Sequence, residues 1–309
     1  MPARSSDKIV RGGICVIVCF GSLNADLIFR LPEVPRSGQT LLADDLAVQA
    51  GGKGANQAVA AARDGASVAM VGAVGSDALA EVALSGLREA GADTARVREV
   101  AAATGCASIW IDAQGRNRIV VALGANGHTR ADQVADADLA RATSLLLQME
   151  VDPAETTALL RRARALGLRS ILNLAPALPL DLDTMRLAGL LVVNEDEAEA
   201  TAARLGCAPE AASLHAALGI DVVRTLGEAG SEAATESGAW HVPARAVEPV
   251  DTTAAGDCFV GVLAAALDRG TPLRAAMERA SVAAALACGR RGSQASLPWR
   301  EETDRALGT

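Results

Sequence analysis

The sequence predicts an α/β fold in which a mostly parallel central β-sheet lies between two layers of helices, with a small second β-sheet attached. Continuous apolar blocks such as "ICVIVCFG", "SVAMVGAVG" and "LLVVNE" are typical of parallel strands that are buried on both faces. Segments with helical periodicity separate these blocks, at 54–63, 78–90, 154–166 and 195–205. This alternation indicates a parallel sheet that is covered by helices on both sides.

The remaining elements follow in chain order. Residues 1–12 are polar and irregular, so we expect a flexible N-terminal extension before a folded domain at 13–309. Two stretches, at about 25–50 and 104–123, break the alternation of strands and helices. The second has a hairpin pattern around "DAQGRN". Strands without crossover helices favour a small separate sheet, which we expect to form a lid over the mouth of the main sheet.

Composition argues against several classes of function. The formal net charge of −8 argues against a nucleic-acid partner bound by a basic face. No uninterrupted apolar run is long enough to suggest a membrane span. The six cysteines are scattered and contain no CxxC pair, which is typical of a reducing cytoplasm. The sequence therefore predicts a cytoplasmic protein that acts on a small molecule.

Polar residues follow the predicted strands, at the edge where open parallel sheets bind their ligands. Asn24 and Asp26 follow the first strand, and Glu150 follows "SLLLQM". Asn194 follows "GLLVV", and Thr225 follows "DVVR". One polar strand ending is normal for any loop. Together, these endings favour a site for a hydroxylated or phosphorylated ligand.

The loop "AGGKGANQAVAAA" at 50–62 is a second candidate for ligand binding. Its glycines permit close backbone approach, and the helix that follows could hold an anion or sugar hydroxyls at its N-terminus. Lys53 is one of only two lysines among 29 basic residues, which favours a specific role for it. The spacing fits neither a Walker loop nor a dinucleotide fingerprint, so a nicotinamide dehydrogenase is disfavoured.

Asp257 stands between a glycine and a long apolar run in "VDTTAAGDCFVGVLAAAL", and it has two interpretations. Asp is a favoured helix N-cap, and a helix is predicted to begin here. In the alternative, the small residues up to Gly256 bring backbone amides together as an anion hole at the helix N-terminus. A carboxylate beside such a hole can accept a proton from an attacking hydroxyl in phosphoryl transfer.

The segments "DTTAAGDCF" and "GGKGANQAVAAAR" resemble the two signatures of the PfkB family of ribokinase-like sugar kinases. The resemblance covers nearly the whole chain, from "GSLNAD" to "SLPWREE". It implies a three-layer αβα ribokinase-like domain with a β-sheet lid, and transfer of the γ-phosphoryl group of ATP to the primary 5-hydroxyl of a pentose, D-ribose in the first hypothesis. ATP, Mg²⁺ and an activating K⁺ are the implied cofactors. Pairing of two lids implies a homodimer.

The resemblance also implies a role for each candidate residue. Asp257 would be the general base, and the amides of Gly256 and Asp257 would form the anion hole. The sugar contacts would be Asn24, Asp26, Gly52, Lys53, Gly54, Asn56, Glu150 and Asp257. The nucleotide contacts would be Asn194, Glu197, Thr225, Gly227, Gly230, Gly256 and Ser281. Asn194 and Glu197 match an N-x-x-E motif that serves the Mg²⁺–phosphate region. The monovalent cation would be held by Asp251, Thr253, Ala287, Arg290, Gly292 and Ser296.

Four departures from the family pattern leave the sugar open. Ser281 stands where Asn is usual near the adenine, Gln39 replaces a Glu in the lid, and Leu174 stands where Pro is common. Trp110 is bulkier than usual in a lid whose residues help to shape the sugar pocket. The alternatives are a related kinase for deoxyribose, a ketohexose or a nucleoside, and a non-catalytic sugar-binding protein on the same scaffold, which would be expected to lose the base or the anion hole.

Overall fold

The computed structural model of the chain describes residues 16–114 and 116–308, and the predicted extension at 1–12 lies outside this part. Within the described part, nine strands form one sheet and four strands form a smaller one. The strands of the large sheet are β1 (Val16–Phe20), β4 (Ser67–Gly75), β5 (Asp93–Val100), β8 (Ser144–Leu147), β9 (Arg169–Asn173), β10 (Leu190–Val193), β11 (Asp221–Thr225), β12 (Ser231–Thr235) and β13 (Gly238–Val242). The strands of the small sheet are β2 (Asn24–Arg30), β3 (Asp45–Gly51), β6 (Gly105–Ile111) and β7 (Asn117–Ala122).

The large sheet has the strand order β13-β12-β11-β10-β9-β8-β1-β4-β5. The strands from β11 to β5 pair in parallel, whereas β12 and β13 pair antiparallel at one edge. The predicted, mostly parallel sheet is therefore confirmed. The apolar blocks did not predict β5, β12 or β13. These strands lie at or near the edges, where β5 and β13 are mostly exposed or half-buried and β12 is only partly buried, and their sequences lack a continuous apolar run.

Helices cover both faces of the large sheet. They are α1 (Lys53–Arg63), α2 (Ala78–Glu89), α3 (Asp136–Arg141), α4 (Pro153–Leu166), α5 (Leu182–Met185), α6 (Glu195–Leu205), α7 (Ala211–Leu218), α8 (Ala255–Asp268), α9 (Leu273–Cys288) and α10 (Arg300–Leu307). Alternate residues of β1 separate two cores: Ile17 and Cys19 pack with α1, α2, α8 and α9, and Val18 and Phe20 pack with α4, α6 and α7. The three-layer fold is therefore confirmed. No helix in the described part combines the length and apolarity needed to cross a membrane.

The small sheet has the strand order β3-β2-β6-β7. We call the side of this sheet that carries Asp26, Ile28 and Ile109 its inner face, because Ile28 and Ile109 are buried there. Trp110 pairs with Phe29 on the opposite, outer face. Trp110 therefore lies on the face opposite to Asp26, so the two side chains do not line the same side of this sheet.

Helices α1 and α8 pack against each other at a glycine. A Cβ atom on Gly261 would lie 2.4 Å from the backbone oxygen of Gln57 and 2.6 Å from the Cβ of Ala60. A larger residue at 261 would therefore push the helices apart. This close approach holds the first turns of the two helices side by side, at the edge of the sheet where its parallel strands end.

Candidate active site

A cavity of about 240 Å³ lies at the carboxyl edge of the large sheet, between the first turns of α1, α6 and α8. This is the position at which open parallel sheets bind their ligands. The described residues that line it are Lys53, Asn173, Ala175, Val192, Val193, Asn194, Glu197, Thr225, Thr252, Ala254, Gly256, Asp257 and Val260. Six of the residues predicted from sequence are therefore brought together in one wall: Lys53, Asn194, Glu197, Thr225, Gly256 and Asp257.

The N-terminus of α8 points into this cavity. The helix begins at Ala255, and its N-cap is Ala254, so Asp257 is the third residue of the helix. The interpretation of Asp257 as the N-cap is therefore wrong. The first N–H groups of a helix have no partner within the helix. The amides of Gly256 and Asp257 belong to this turn, and together with the helix dipole they suit a negatively charged group.

Two side-chain amides of α1 hold the carboxylate of Asp257. The Nδ2 of Asn56 donates to Oδ2 over 2.9 Å, and the Nε2 of Gln57 donates to Oδ1 over 2.9 Å. Asp257 is 7% exposed. A carboxylate has about four lone-pair positions, so each oxygen keeps acceptor capacity on the side that borders the cavity.

Asn56 is held from its other end by the loop before α10. Its Oδ1 accepts hydrogen bonds from the Oγ of Ser293 over 3.2 Å and from the Nε2 of Gln294 over 3.1 Å. Its Nδ2 carries a second hydrogen beside the one that it donates to Asp257. Asn56 can therefore contact a ligand with one N–H group while it stays fixed by the others.

The glycine loop packs tightly against the segment that links β1 and β2. Gly52 has a φ of 90°, and an added Cβ atom would lie 2.8 Å from the backbone nitrogen of Asn24. A Cβ atom on Gly54 would lie 2.5 Å from the backbone nitrogen of Ser22. Glycine is therefore required at both positions for steric reasons, and at Gly52 also because of its positive φ.

Glu150 ties the start of α1 to the same segment. Its Oε2 accepts hydrogen bonds from the Oγ of Ser22 over 2.6 Å and from the backbone nitrogen of Lys53 over 3.0 Å. On the other side of the segment, the Nδ2 of Asn126 donates to the Oδ1 of Asn24 over 2.7 Å. These bonds fix the side chains of Glu150 and Asn24 beside the glycine loop.

Asp26 lies on β2 with its carboxylate against the backbone of Gly51. A Cβ atom on Gly51 would lie 2.1 Å from its Oδ2. Burial raises the pKa of Asp26 to about 7, and the negative charges of Glu150 and Asp257 add to this effect. The carboxyl of Asp26 therefore gains and loses its proton close to neutral pH.

Lys53 is the basic residue among these carboxylates. The charge of Asp257 raises its pKa most, and Glu150 and Glu197 add to the effect, whereas burial opposes it. Burial raises the pKa of Glu197, although the N–H of Asn194 and the charge of Lys53 partly oppose this. Lys53 therefore stays protonated and balances part of the negative charge.

Asn194 and Glu197 form a capping box at the start of α6. The Oδ1 of Asn194 accepts from the backbone nitrogen of Glu197 over 2.8 Å, and the Oε2 of Glu197 accepts from that of Asn194 over 2.9 Å. Each side chain thus uses one polar atom to begin the helix. The Nδ2 of Asn194 and the Oε1 of Glu197 are the atoms left to face a ligand.

Three residues predicted to contact the nucleotide lie apart from this wall. Gly227 and Gly230 flank the short turn after β11, where they adopt positive φ values of 53° and 100°. Ser281 lies on α9, and its Oγ is 3.5 Å from the backbone oxygen of Pro243. None of the three belongs to the described residues that line the 240 Å³ cavity.

The residues assigned to a monovalent cation lie in two segments that meet beside α8. Asp251 joins these segments, since its carboxylate accepts from the backbone nitrogens of Thr253 over 2.9 Å and of Gly292 over 3.0 Å. Burial alone would raise the pKa of Asp251, but these hydrogen bonds and the charge of Arg30 lower it overall. The backbone nitrogen of Arg290 donates to the oxygen of Ala287 over 3.0 Å, and the Oγ of Ser296 donates to the oxygen of Ser293 over 2.8 Å.

Sequence reasoning missed several polar residues that support this site. They are Ser22, Gln57, Asn126, Gln148 and Asn173. Gln57 and Gln148 are fully buried. Gln148 has a signal in the sequence, because it directly follows the apolar run of β8, whereas Gln57 lies in a helical run in which a glutamine is ordinary.

Comparisons with known proteins agree with this geometry. A family model described as "pfkB family carbohydrate kinase" matches residues 16–300. The ribokinase of Haemophilus influenzae is 34% identical over 295 residues, which is 93% of this chain and 96% of the relative. A crystal structure of ribokinase from Thermotoga maritima has a TM-score of 0.89 at 30% identity, covering 96% of this chain and 100% of the other. A structure of Arabidopsis thaliana ribokinase complexed with ribose and ATP has a TM-score of 0.87 at 26% identity, covering 96% and 99% of the two chains.

We expect the free energy of unfolding of the Asp26→Asn variant, relative to that of the natural protein, to increase as the pH rises. The ordinary pKa of Asp is 3.8 and that of folded Asp26 is about 7, so the folded state binds this proton more tightly. The stability of the natural protein therefore falls as the pH rises between these values. The advantage of the variant should grow by about 3 kcal/mol between about pH 5 and about pH 8, measured by urea unfolding.

The control for this experiment is Asp44→Asn, which changes an exposed carboxylate next to β3. Its difference from the natural protein should stay constant across the same pH range. An Asp26→Asn curve that runs parallel to that of the natural protein would show that Asp26 does not titrate near neutrality.

Proposed function

Because the chain belongs to the pfkB family of carbohydrate kinases, we propose that it transfers the γ-phosphoryl group of ATP to the 5-hydroxyl of D-ribose, giving ribose 5-phosphate and ADP. The observation that carries this proposal is the placement of Asp257 beside the N-terminus of α8, in the wall of the cavity that also contains Lys53. The Haemophilus influenzae relative is named ribokinase, and the Arabidopsis thaliana structure is described as complexed with ribose and ATP.

In the proposed reaction, Asp257 is the general base. Its carboxylate accepts the proton of the 5-hydroxyl while that oxygen forms a bond to the γ-phosphorus of ATP. The bond between the γ-phosphorus and the bridging oxygen breaks, and ADP leaves with the electron pair. The amides of Gly256 and Asp257 stabilise the charge on the transferred phosphoryl group, and Lys53 adds a positive charge beside it. Asp257 then releases its proton to solvent.

The sugar is proposed to lie between the glycine loop and the inner face of the small sheet. Asn24, Asp26, Gly52, Lys53, Gly54, Asn56, Glu150 and Asp257 are the residues assigned to it. Carboxylates accept hydrogen bonds from sugar hydroxyls, and the amide and ammonium groups donate to them. A sugar that lacks a hydroxyl leaves one of these buried groups without a partner, and this mismatch gives the site its selectivity.

ATP is proposed to bind along the edge of the sheet from α8 towards β11 and the turn that follows it. Asn194, Glu197, Thr225 and Gly256 lie on the phosphate side, and Gly227, Gly230 and Ser281 lie further out. The Mg²⁺ that accompanies ATP would be placed near Asn194 and Glu197. One oxygen of Glu197 is free of the capping box, which suits contact with this ion through water. Mg²⁺ would neutralise phosphate charge during the transfer.

A monovalent cation, K⁺, is proposed to bind at Asp251, Thr253, Ala287, Arg290, Gly292 and Ser296. Carboxylate and backbone carbonyl oxygens suit such an ion. The low pKa of Asp251 keeps its carboxylate charged, and its bonds to Thr253 and Gly292 join the two segments. An ion held there would stiffen the backbone that leads into the first turn of α8.

The small sheet, at about 25–50 and 104–123, is proposed to act as the lid and to pair two chains into a homodimer. Its outer face carries apolar side chains, three of which are strongly exposed: Leu46 at 52%, Val48 at 45% and Val120 at 65%. Phe29 and Trp110 lie on the same face. Contact with a second copy of this face would bury the apolar surface.

The protein is also proposed to work in the cytoplasm as a single folded domain at 13–309. Five cysteines in the described part are free thiols, namely Cys19, Cys106, Cys207, Cys258 and Cys288. Free thiols persist in reducing compartments, which supports this location. Fractionation of cells that produce the protein would test it.

We expect ADP release from Mg·ATP with ribose, and a higher rate in potassium than in sodium. The assay compares ribose, deoxyribose, fructose and adenosine, because these acceptors separate the proposed function from the related kinases. Preference for another acceptor would keep the mechanism and contradict the assignment of ribose. No ADP release with any acceptor, from protein that is folded by circular dichroism, would favour a sugar-binding protein without catalysis.

We expect Asp257→Asn to lower kcat by about 10²–10⁴-fold, because an amide cannot accept the proton of the attacking hydroxyl. Ribose binding, measured by calorimetry, should be retained, since an amide of the same shape keeps most contacts of the pocket. The control is Asp183→Asn, which changes an exposed carboxylate that is not among the described residues lining the cavity. A kcat close to that of the natural protein would remove Asp257 from the mechanism.

We expect the natural protein to sediment as a dimer and the double variant Val48→Asp, Val120→Asp to sediment as a monomer. Two carboxylates on the outer face of each small sheet would meet those of the partner in a low-dielectric contact. Leu42→Asp is the control, because Leu42 is 88% exposed but precedes β3. A natural protein that sediments as a monomer, or a double variant that stays dimeric, would contradict pairing through this face.

A further inference from the structure

We propose that Gln57 is a positioning residue that fixes the orientation of the Asp257 carboxylate, and that Gln148 acts on Asp257 through Gln57. This inference rests on the proposed role of Asp257 as the general base. It assigns a part in the reaction to two fully buried side chains outside the predicted site.

Gln57 makes three hydrogen bonds with its side-chain amide, which is 0% exposed. Its Nε2 donates to the Oδ1 of Asp257 over 2.9 Å and to the Oδ1 of Asn173 over 2.9 Å. Its Oε1 accepts from the Nε2 of Gln148 over 2.7 Å. Both of its N–H groups are therefore used, and the side chain connects the end of the sheet to the carboxylate.

The main chain of the sheet decides which end of Gln57 faces Asp257. The Nδ2 of Asn173 donates to the backbone oxygen of Val192 over 3.1 Å, and that oxygen can only accept. The Oδ1 of Asn173 must therefore face Gln57. If the amide of Gln57 were reversed, its own oxygen would face two acceptors, on Asn173 and Asp257, and would lose both bonds. Gln57 thus has one favourable orientation.

Gln148 holds the same orientation from the other side, at an energetic cost to the fold. Its Oε1 is buried without a hydrogen-bond partner in the described part of the structure. This oxygen occupies the space beside Gly21, where a Cβ atom would lie only 2.0 Å away. A buried amide oxygen without a partner is destabilising. The N–H group that Gln148 donates to Gln57 explains why a glutamine is present at this position despite the cost.

Asn56 and Gln57 play different parts in holding Asp257. Asn56 is assigned to the sugar, so its side-chain amide is shared between Asp257 and the substrate. Gln57 lies behind Asp257 and outside the cavity wall, so its bond to Oδ1 persists through the reaction. Because this bond fixes Oδ1, the lone pairs of the Asp257 carboxylate that face the cavity keep one direction. A base that is displaced by about 1 Å loses on the order of 10²-fold in rate.

The test compares Gln57→Met, Gln148→Met and the double variant in steady-state kinetics of the whole protein with ribose and Mg·ATP. Methionine keeps the length and most of the volume of glutamine but cannot donate. The control is Gln133→Met. Gln133 is also buried and makes three hydrogen bonds, but with the backbone of Gly72, Arg96 and Arg130 rather than with the site.

We expect Gln57→Met to lower kcat by about 10–100-fold, with KM for ribose and for ATP within about threefold of the natural values. Gln148→Met should lower kcat several-fold. The double variant should match Gln57→Met, because the bond from Gln148 to Gln57 is the contact through which it is proposed to act on Asp257. Gln133→Met should lose a similar amount of thermal stability and keep its kcat.

Three results would overturn the inference. They are a kcat for Gln57→Met within about twofold of the natural value, a change in KM alone, and effects of the two substitutions that multiply in the double variant. If Gln57→Met does not fold, Gln148→Met alone decides, because it leaves every contact of Asp257 in place. Asp257→Asn shows whether a negative result concerns this inference or the proposed function. If Asp257→Asn is inactive and Gln57→Met is fully active, only the role of Gln57 is contradicted. If Asp257→Asn is active, the proposed role of Asp257 is contradicted as well.

Discussion

The close packing of α1 against α8 is the constraint on which the site depends. Gly261 allows the backbone of α8 to approach Gln57 and Ala60 on α1. One turn earlier on α8, this approach places Asp257 within 2.9 Å of two donors on α1. Both helices begin at the edge of the large sheet at which its parallel strands end. Their positive N-terminal ends therefore converge on this edge. The cavity, the carboxylate and the lysine come together because two apolar helices fit closely.

This convergence brings several buried carboxylates close together. Asp26, Glu150, Glu197 and Asp257 influence one another, and burial raises the pKa of both Asp26 and Glu197. Lys53 is held among them by their charges. A polyol would supply hydroxyl donors to Asp26, Glu150 and Asp257, and in the proposed reaction the sugar thus relieves part of the cost of burying these carboxylates. Glu197 is assigned to the nucleotide, so its burial would be relieved on the ATP side of the site.

The sequence predicts the central part of the fold well because its strands are continuous apolar runs. All four residues of β10 are buried, as the run "LLVV" indicates. The polar ending of this run also places Asn194 at the ligand-binding edge, whereas Asp257 precedes an apolar run and is assigned to the site by its position in a predicted anion hole at a helix N-terminus. The amides were not predictable in this way. Gln57 lies in a helical run in which a glutamine is ordinary, and only the packing of α8 on α1 shows that it faces a carboxylate rather than solvent.

The backbone conformation of Ala254 is another feature that sequence patterns do not predict. Ala254 has a φ of 59°, a left-handed conformation that disfavours residues other than glycine by about 1–2 kcal/mol. Its neighbours stabilise this conformation, because Asp251 binds the N–H of Thr253 and joins the turn to Gly292. A glycine at 254 would relieve the strain and also widen the range of conformations open to the turn. An alanine held in one conformation by these bonds keeps the amides of the first turn aimed into the cavity before any phosphate arrives, which is the preorganisation that phosphoryl transfer requires.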